Sequence, residues 1–205
     1  MPAMNDMTLS ARDRILLTAH DLFYADGIRA TGIDRIISES GVAKLTFYRH
    51  FASKDELVMA FLNHRHERWM AWFVDALGRH GASSGGGLMP LLQTMQEWFE
   101  DPVFRGCAFI NVVAEMGDSQ PGMMRIAQSH KDDMLRVIEG LLPAGDSSLA
   151  NAAALAVDGA IVRAQMEASA AVSATQKKSA PDGLRLVLMA LERASQEKSA
   201  SGTPG

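Results

Sequence analysis

The chain has 205 residues, 47% of them hydrophobic, one cysteine and a net charge of −4. That apolar content supports a packed core in one large or two small domains, and the acidic balance confines any nucleic-acid-binding surface to a local patch. A lone cysteine excludes an internal disulfide. No apolar run approaches the ~20 residues of a spanning helix, and the opening MPAMNDMTLSARDR lacks the apolar stretch of a secretory leader, so a soluble cytoplasmic protein with no membrane partner is expected.

Apolar residues recur at intervals of three and four, and β-branched alternation is absent, which predicts an all-α fold. A first helix is expected over residues 10–26, with Ile15, Leu16, Ala19, Leu22 and Phe23 on one face and Gly27 as its stop. A second spans 33–40. Thr31 is its expected cap, Asp34 returns the bond, and Gly41 ends it. A short third helix covers 44–51. Ser53 then opens a fourth, with Glu56 as capping-box partner, running towards residue 79. The stretch GASSGGG at 81–87 is a flexible break. Further helices are expected over 88–100, 103–116, 121–141, 147–172 and 182–197, with breaks at GDSQPG, LPAGDS and TQKKSAPDG. The tails 1–9 and 199–205 have the composition of disordered chain.

The stretch GVAKLTFYRHFASKDEL (41–57) carries Lys44, Arg49 and Lys54 with no acid among them, then turns acidic at Asp55 and Glu56. A solvated helix face usually mixes signs. Two short helices joined through Gly41 form the helix-turn-helix pattern, whose second helix enters the major groove of DNA. Its early residues reach base edges and its later polar residues hold phosphates. Tyr48 and His50 suit phosphate through their polar tips, and Lys54 stands at a helix start, where free N–H groups attract an anion. Phe47 and Phe51, four apart, are expected to face inward. The competing view is a short amphipathic helix with a solvated basic face.

The run RILLTAHDLFYADGIRATGIDRIISESGVAKLTFYRHFASKDEL resembles the amino-terminal DNA-binding domain of the TetR family of bacterial transcriptional regulators. The resemblance rests on Phe23, Gly27, Thr31, Ile36, Gly41, Val42, Lys44, Tyr48, Phe51, Lys54 and Leu57. It implies DNA contacts from Thr31, Lys44, Leu45, Thr46, Tyr48, Arg49, His50 and Lys54. Two positions depart from the family pattern. Ala43 stands where a capping Ser is common, and Leu45 where Gly or Pro is common; a leucine there can meet a thymine methyl. The resemblance also implies a homodimer on a near-palindromic operator and a helical carboxy-terminal domain that binds a small effector. The expected organisation is a helix-turn-helix domain over 10–57, a connecting helix to about 79, and a ligand-binding and dimerisation domain over 80–198.

Beyond residue 80 the residues speak more softly. Small residues of the Ala-rich helix, among them Ala156 and Ala160, let another helix approach closely. With the stripe Leu184, Val187, Leu188 and Leu191 they suggest a four-helix dimer interface; burial of both stripes within one chain is the alternative. Aromatic residues concentrate between 69 and 109, flanked by methionines, which suits an apolar effector. Trp69, Phe73, Trp98, Phe109, Asn111, Glu115 and Met166 are the candidate lining, against ordinary core packing for each. Cys107 reads as a buried small hydrophobe before it reads as a redox sensor. No metal spacing, phosphate loop or nucleophile motif is present, so neither metal, cofactor nor catalysis is expected. The reading that results is a ligand-responsive repressor. The alternative is a sequence-tolerant DNA binder, or an activator, without a small-molecule effector.

Overall fold

Ser10 starts the first helix: its hydroxyl accepts the Asp13 N–H at 3.1 Å, satisfying one of the amides that a helix start leaves unpaired. The computed structural model describes residues 9–117, 120–143, 146–169 and 179–201, and all regular structure among them is helical. The helices are α1 (Ala11–Asp26), α2 (Ile33–Ser40), α3 (Lys44–His50), α4 (Lys54–Arg79), α5 (Met89–Phe99), α6 (Ala108–Met116), α7 (Pro121–Leu141), α8 (Ser147–Ser169) and α9 (Ser179–Ser201). None among the described residues is long and apolar enough to cross a membrane.

Three local expectations are corrected. Thr31 does not cap α2. Gly32 occupies the cap without a side-chain bond, and the Thr31 hydroxyl donates back to the Gly27 carbonyl at 2.8 Å. The stretch 103–107 is not helical. Asp101 makes a turn there, its carbonyl accepting from Phe104 N–H and its carboxylate from Val103 N–H, both at 2.9 Å. Gly106 then takes φ 81°, close against the Gln165 side chain, and α6 begins only at Ala108. Finally, α9 starts at Ser179, ahead of the expected 182, because Pro181 in the first turn needs no N–H partner. It continues to Ser201, through part of the expected carboxy-terminal tail. Residues 1–8, 202–205, parts of two expected breaks (118–119 and 144–145) and residues 170–178, which include the end of the helix expected over 147–172 and the start of the third break, lie outside the described residues.

The chain forms two compact bodies. The first contains residues up to Glu67 together with Ala108–Gln128. The second contains Arg68–Cys107 and the chain from Ser129 onward. The division between the bodies thus falls within α4, between Glu67 and Arg68, ahead of the expected position near residue 80, and α6 groups with the amino-terminal helices. In the first body Ile15, Ala19, Phe23, Ile36, Phe47, Phe51, Leu57 and Phe61 form a core from which water is nearly excluded. In the second, Phe73, Leu88, Leu91, Met95, Ile138, Val157, Ile161 and Leu188 do the same, and α8 packs along α9.

Phe47→Ala removes the fully buried ring that seats α3, so it is expected to cost about 3–5 kcal/mol. Urea unfolding followed by circular dichroism measures it; a loss under about 1 kcal/mol contradicts the anchoring role.

Candidate nucleic-acid interface

Gly41 ends α2 in the left-handed conformation, φ 64° and ψ 32°, which costs a residue without Cβ nothing. Val42 is buried, Ala43 takes extended backbone, and α3 begins at Lys44 with the Phe47 N–H bonded to the Ala43 carbonyl at 3.0 Å. Phe47 and Phe51 point into the core, and Arg12 lies over the Phe51 ring at 5.1 Å. With the inner side fixed, the helical period decides the rest. Lys44, Leu45, Tyr48 and Arg49 are exposed, while Thr46 and His50 are half-buried. Lys44 reaches back to Asp34 on α2 at 3.6 Å, a surface pair worth little in water. The result is an exposed helix with local positive charge on an acidic molecule, set in helix-turn-helix geometry.

The turn between α1 and α2 is held by side chains from two distant stretches of chain. The Lys54 ammonium donates to the Ile28 carbonyl at 2.6 Å. The Glu115 carboxylate, on α6, accepts from Arg29 N–H at 2.8 Å and from Ile28 N–H at 3.3 Å. Its approach leaves little room at Gly27, whose φ of 91° already demands glycine. Ser53 caps α4 by accepting the Glu56 N–H at 3.1 Å, while the Glu56 carboxylate accepts the Ala52 N–H at 2.9 Å.

The second body holds an aromatic cluster. Trp69 stacks on Phe73 with centroids 4.7 Å apart and meets Trp98 and His130 edge-on, each at 5.2 Å. Trp98 in turn meets Phe104 at 5.1 Å. Among the described residues of this body, two buried polar atoms have no hydrogen-bond partner: Trp69 Nε1 and, one turn before Trp98 on α5, Thr94 Oγ1. An open groove of about 550 Å³ runs beside the cluster, lined by Trp72, Trp98, Gln93, Gln96 and Glu97 among others. Glu97 is held by the Arg79 guanidinium at 2.7 and 2.9 Å and by His80 at 2.9 Å. Those bonds, chiefly from Arg79, keep its carboxyl ionised down to about 2. Among the described residues no three His, Cys, Asp or Glu are grouped to hold a metal.

Comparison with known proteins places this architecture. Residues 15–61, from α1 into α4, match the family described as bacterial regulatory proteins, tetR family. A solved structure of a TetR-family transcriptional regulator from Streptomyces coelicolor is 30% identical, with a TM-score of 0.75 over 88% of this chain and 95% of that one. The chain belongs to the TetR family. Among curated relatives, an uncharacterized HTH-type regulator of Lactococcus lactis is 24% identical over 108 residues, 52% of this chain and 55% of that protein. The activator FasR of Mycolicibacterium smegmatis is 42% identical over 51 residues, 25% of this chain and 23% of that protein. The chain thus matches about half of the first relative and about a quarter of the second.

This TetR-family protein is a DNA-binding transcriptional regulator, and its side chains fall into place unevenly. Lys44, Leu45, Tyr48 and Arg49 stand exposed together on α3. Thr31 is fully buried and braces its turn, so its side chain offers DNA nothing. Lys54 has one donor engaged by Ile28 and two left over. Of the expected effector residues, Trp69, Phe73 and Trp98 cluster in the second body, whereas Phe109, Asn111 and Glu115 belong to the first. Glu115 is occupied by backbone amides, and Met166 is exposed on α8. Cys107 is buried. The Glu115 clamp was missed in the sequence because a carboxylate that serves backbone amides 86 and 87 residues away leaves no local pattern.

Glu115→Ala strips the acceptor from two amides. Hydrogen exchange of Ile28 and Arg29 is expected to accelerate by about tenfold or more, while the α8–α9 amides are unchanged. Equal protection in wild type and variant contradicts the clamp.

Proposed function

We propose that this TetR-family regulator is a homodimer that represses transcription from a palindromic operator and is released by a small, mainly apolar effector held in the second body. The observation that carries the effector part is the pair of buried, unpartnered polar atoms, Trp69 Nε1 and Thr94 Oγ1, in a body walled by Phe73, Trp98 and Phe104. A buried polar group left without a partner costs about 1–3 kcal/mol. A flat apolar ligand whose oxygen accepts from Trp69 Nε1 recovers part of that cost while it buries its rings. Part of α4 belongs to each body, so a ligand-induced change in the second has a covalent route to the first.

The effector must bind the DNA-free state better, since equal affinity for both states shifts nothing. Small aromatic ketones and ethers titrated against tryptophan fluorescence, with and without operator, test this. Ligand and operator are expected to weaken each other by the same factor. Trp69→Phe, which keeps a ring and deletes the N–H, is expected to weaken the ligand about fivefold. A ligand that binds equally well in both conditions is not the effector. Activation is the second reading, favoured by the similarity to FasR. A reporter promoter carrying the operator separates the two by whether deletion of the regulator raises or lowers transcription.

Support for the dimer comes from the outward edges of α8 and α9. Leu184, Leu188 and Ala160, expected at the interface, are buried inside the protomer where α8 packs on α9. Ala156 and Leu191 are half-buried, and Val187 is exposed. Leu155, Val162 and Met166 share an exposed stripe on α8, and Leu186, Val187 and Met189 are exposed on α9. Leu155 at 73% and Leu186 at 71% exposure are apolar surface that a second copy would remove from water.

Leu155→Asp with Leu186→Asp places charge on surface that is solvated in a monomer but buried in the proposed dimer. The variant is expected to keep its helicity, sediment as a monomer and lose tight operator binding, because one protomer holds only one half-site. A dimeric variant places the interface elsewhere.

A further inference from the structure

The leading edge of α3 is apolar where a groove-reading helix usually presents hydrogen-bonding groups. Ala43, its N-cap, is exposed and has no side chain to bond with. Leu45, in the first turn, is 73% exposed, the most exposed large hydrophobic residue described in the first body. Nothing in the core explains it, since Phe47 and Val42 already anchor this segment. The neighbouring cation, Lys44, is drawn back toward Asp34. In helix-turn-helix proteins these early positions of the second helix meet base edges in the major groove. One base feature there is apolar, the methyl group on pyrimidine C5, and small or apolar side chains contact it.

We propose that Leu45, assisted by Ala43, reads a pyrimidine C5-methyl group, so that each operator half-site carries an essential thymine and its methyl rather than its hydrogen-bonding edge is what this helix selects. The proposal deepens the palindromic-operator reading. It follows that 5-methylcytosine presents the same group as thymine, while uracil, with thymine's pairing edge but no methyl, does not. Burying one methyl contributes roughly fourfold in affinity, so losing two symmetry-related ones costs about fifteenfold.

The experiment starts from a duplex selected from a random pool by the full-length protein. Each thymine is replaced in turn by deoxyuridine, and affinities are measured for wild type, Leu45→Ala and Leu45→Met. Wild type is expected to lose about fourfold at one thymine per half-site and about fifteenfold when both are replaced. Leu45→Ala is expected to bind thymine and uracil duplexes alike, and Leu45→Met, still apolar and long, to keep most of the discrimination. Placing 5-methylcytosine at the critical position is expected to bind tighter than cytosine there. Because Leu45 is exposed, circular dichroism of both variants is expected to match wild type. A wild-type scan in which no deoxyuridine weakens binding overturns the proposal, as does full discrimination retained by Leu45→Ala. A methyl effect in only one half-site leaves the role of Leu45 standing and overturns the palindromic reading instead. A selection that enriches no duplex overturns both.

Discussion

A helix of seven residues has no stability of its own in water, because nucleation costs more than so few bonds return. Everything α3 offers to DNA therefore depends on the burial of Phe47 and, just past its end, of Phe51. These rings fix the rotation of the helix about its axis. Once they are inside, Leu45, Tyr48 and Arg49 have nowhere to go but outward. The exposed surface of α3 is thus a by-product of packing, and the core of the first body is what determines which of its side chains face outward.

The same body shows how a helix-turn-helix unit is kept rigid at its weakest point. The residues from Gly27 to Thr31 have few backbone partners, yet three side chains supply them. Ile28 is gripped at both ends of its residue, its N–H by a carboxylate and its carbonyl by an ammonium. A charged partner strengthens such bonds about twofold over neutral ones. Lys54 thereby serves the protein's own backbone.

Much of this could be read in the sequence, for identifiable reasons. The limits of α2 and α7 were legible because Gly41 and Pro121 punctuate them, and the buried face of α1 because its apolar residues keep the helical period. The exposed basic face of α3 was legible because its cations bunch without acids. The start of α6 was not, since Phe104 and Cys107 look like helix-facing residues, and the break is made by the Asp101 turn and the backbone of Gly106. The partners of Thr31, Lys54 and Glu115 were hidden because they are backbone groups, which every residue carries. The small residues of α8 do admit a neighbouring helix closely, as expected, but Ala153, Ala160 and Ala164 are buried within the protomer. What identifies the outer edge is exposure of Leu155 and Met166, which an Ala-rich pattern cannot assign to one side or the other.

The first body is discontinuous in sequence, and this orders events during synthesis. Helices α1 to α3 leave the ribosome early, and domains generally fold as the chain emerges. Yet the carboxylate that pins the α1–α2 turn arrives only with residue 115, after the intervening stretch Arg68–Cys107 has been made. A nascent chain stalled before that point carries a complete recognition helix on an incomplete support. The α1–α2 turn therefore gains its full set of partners only after residue 115 has been made, so the rigidity of the support is set later than the helix it supports.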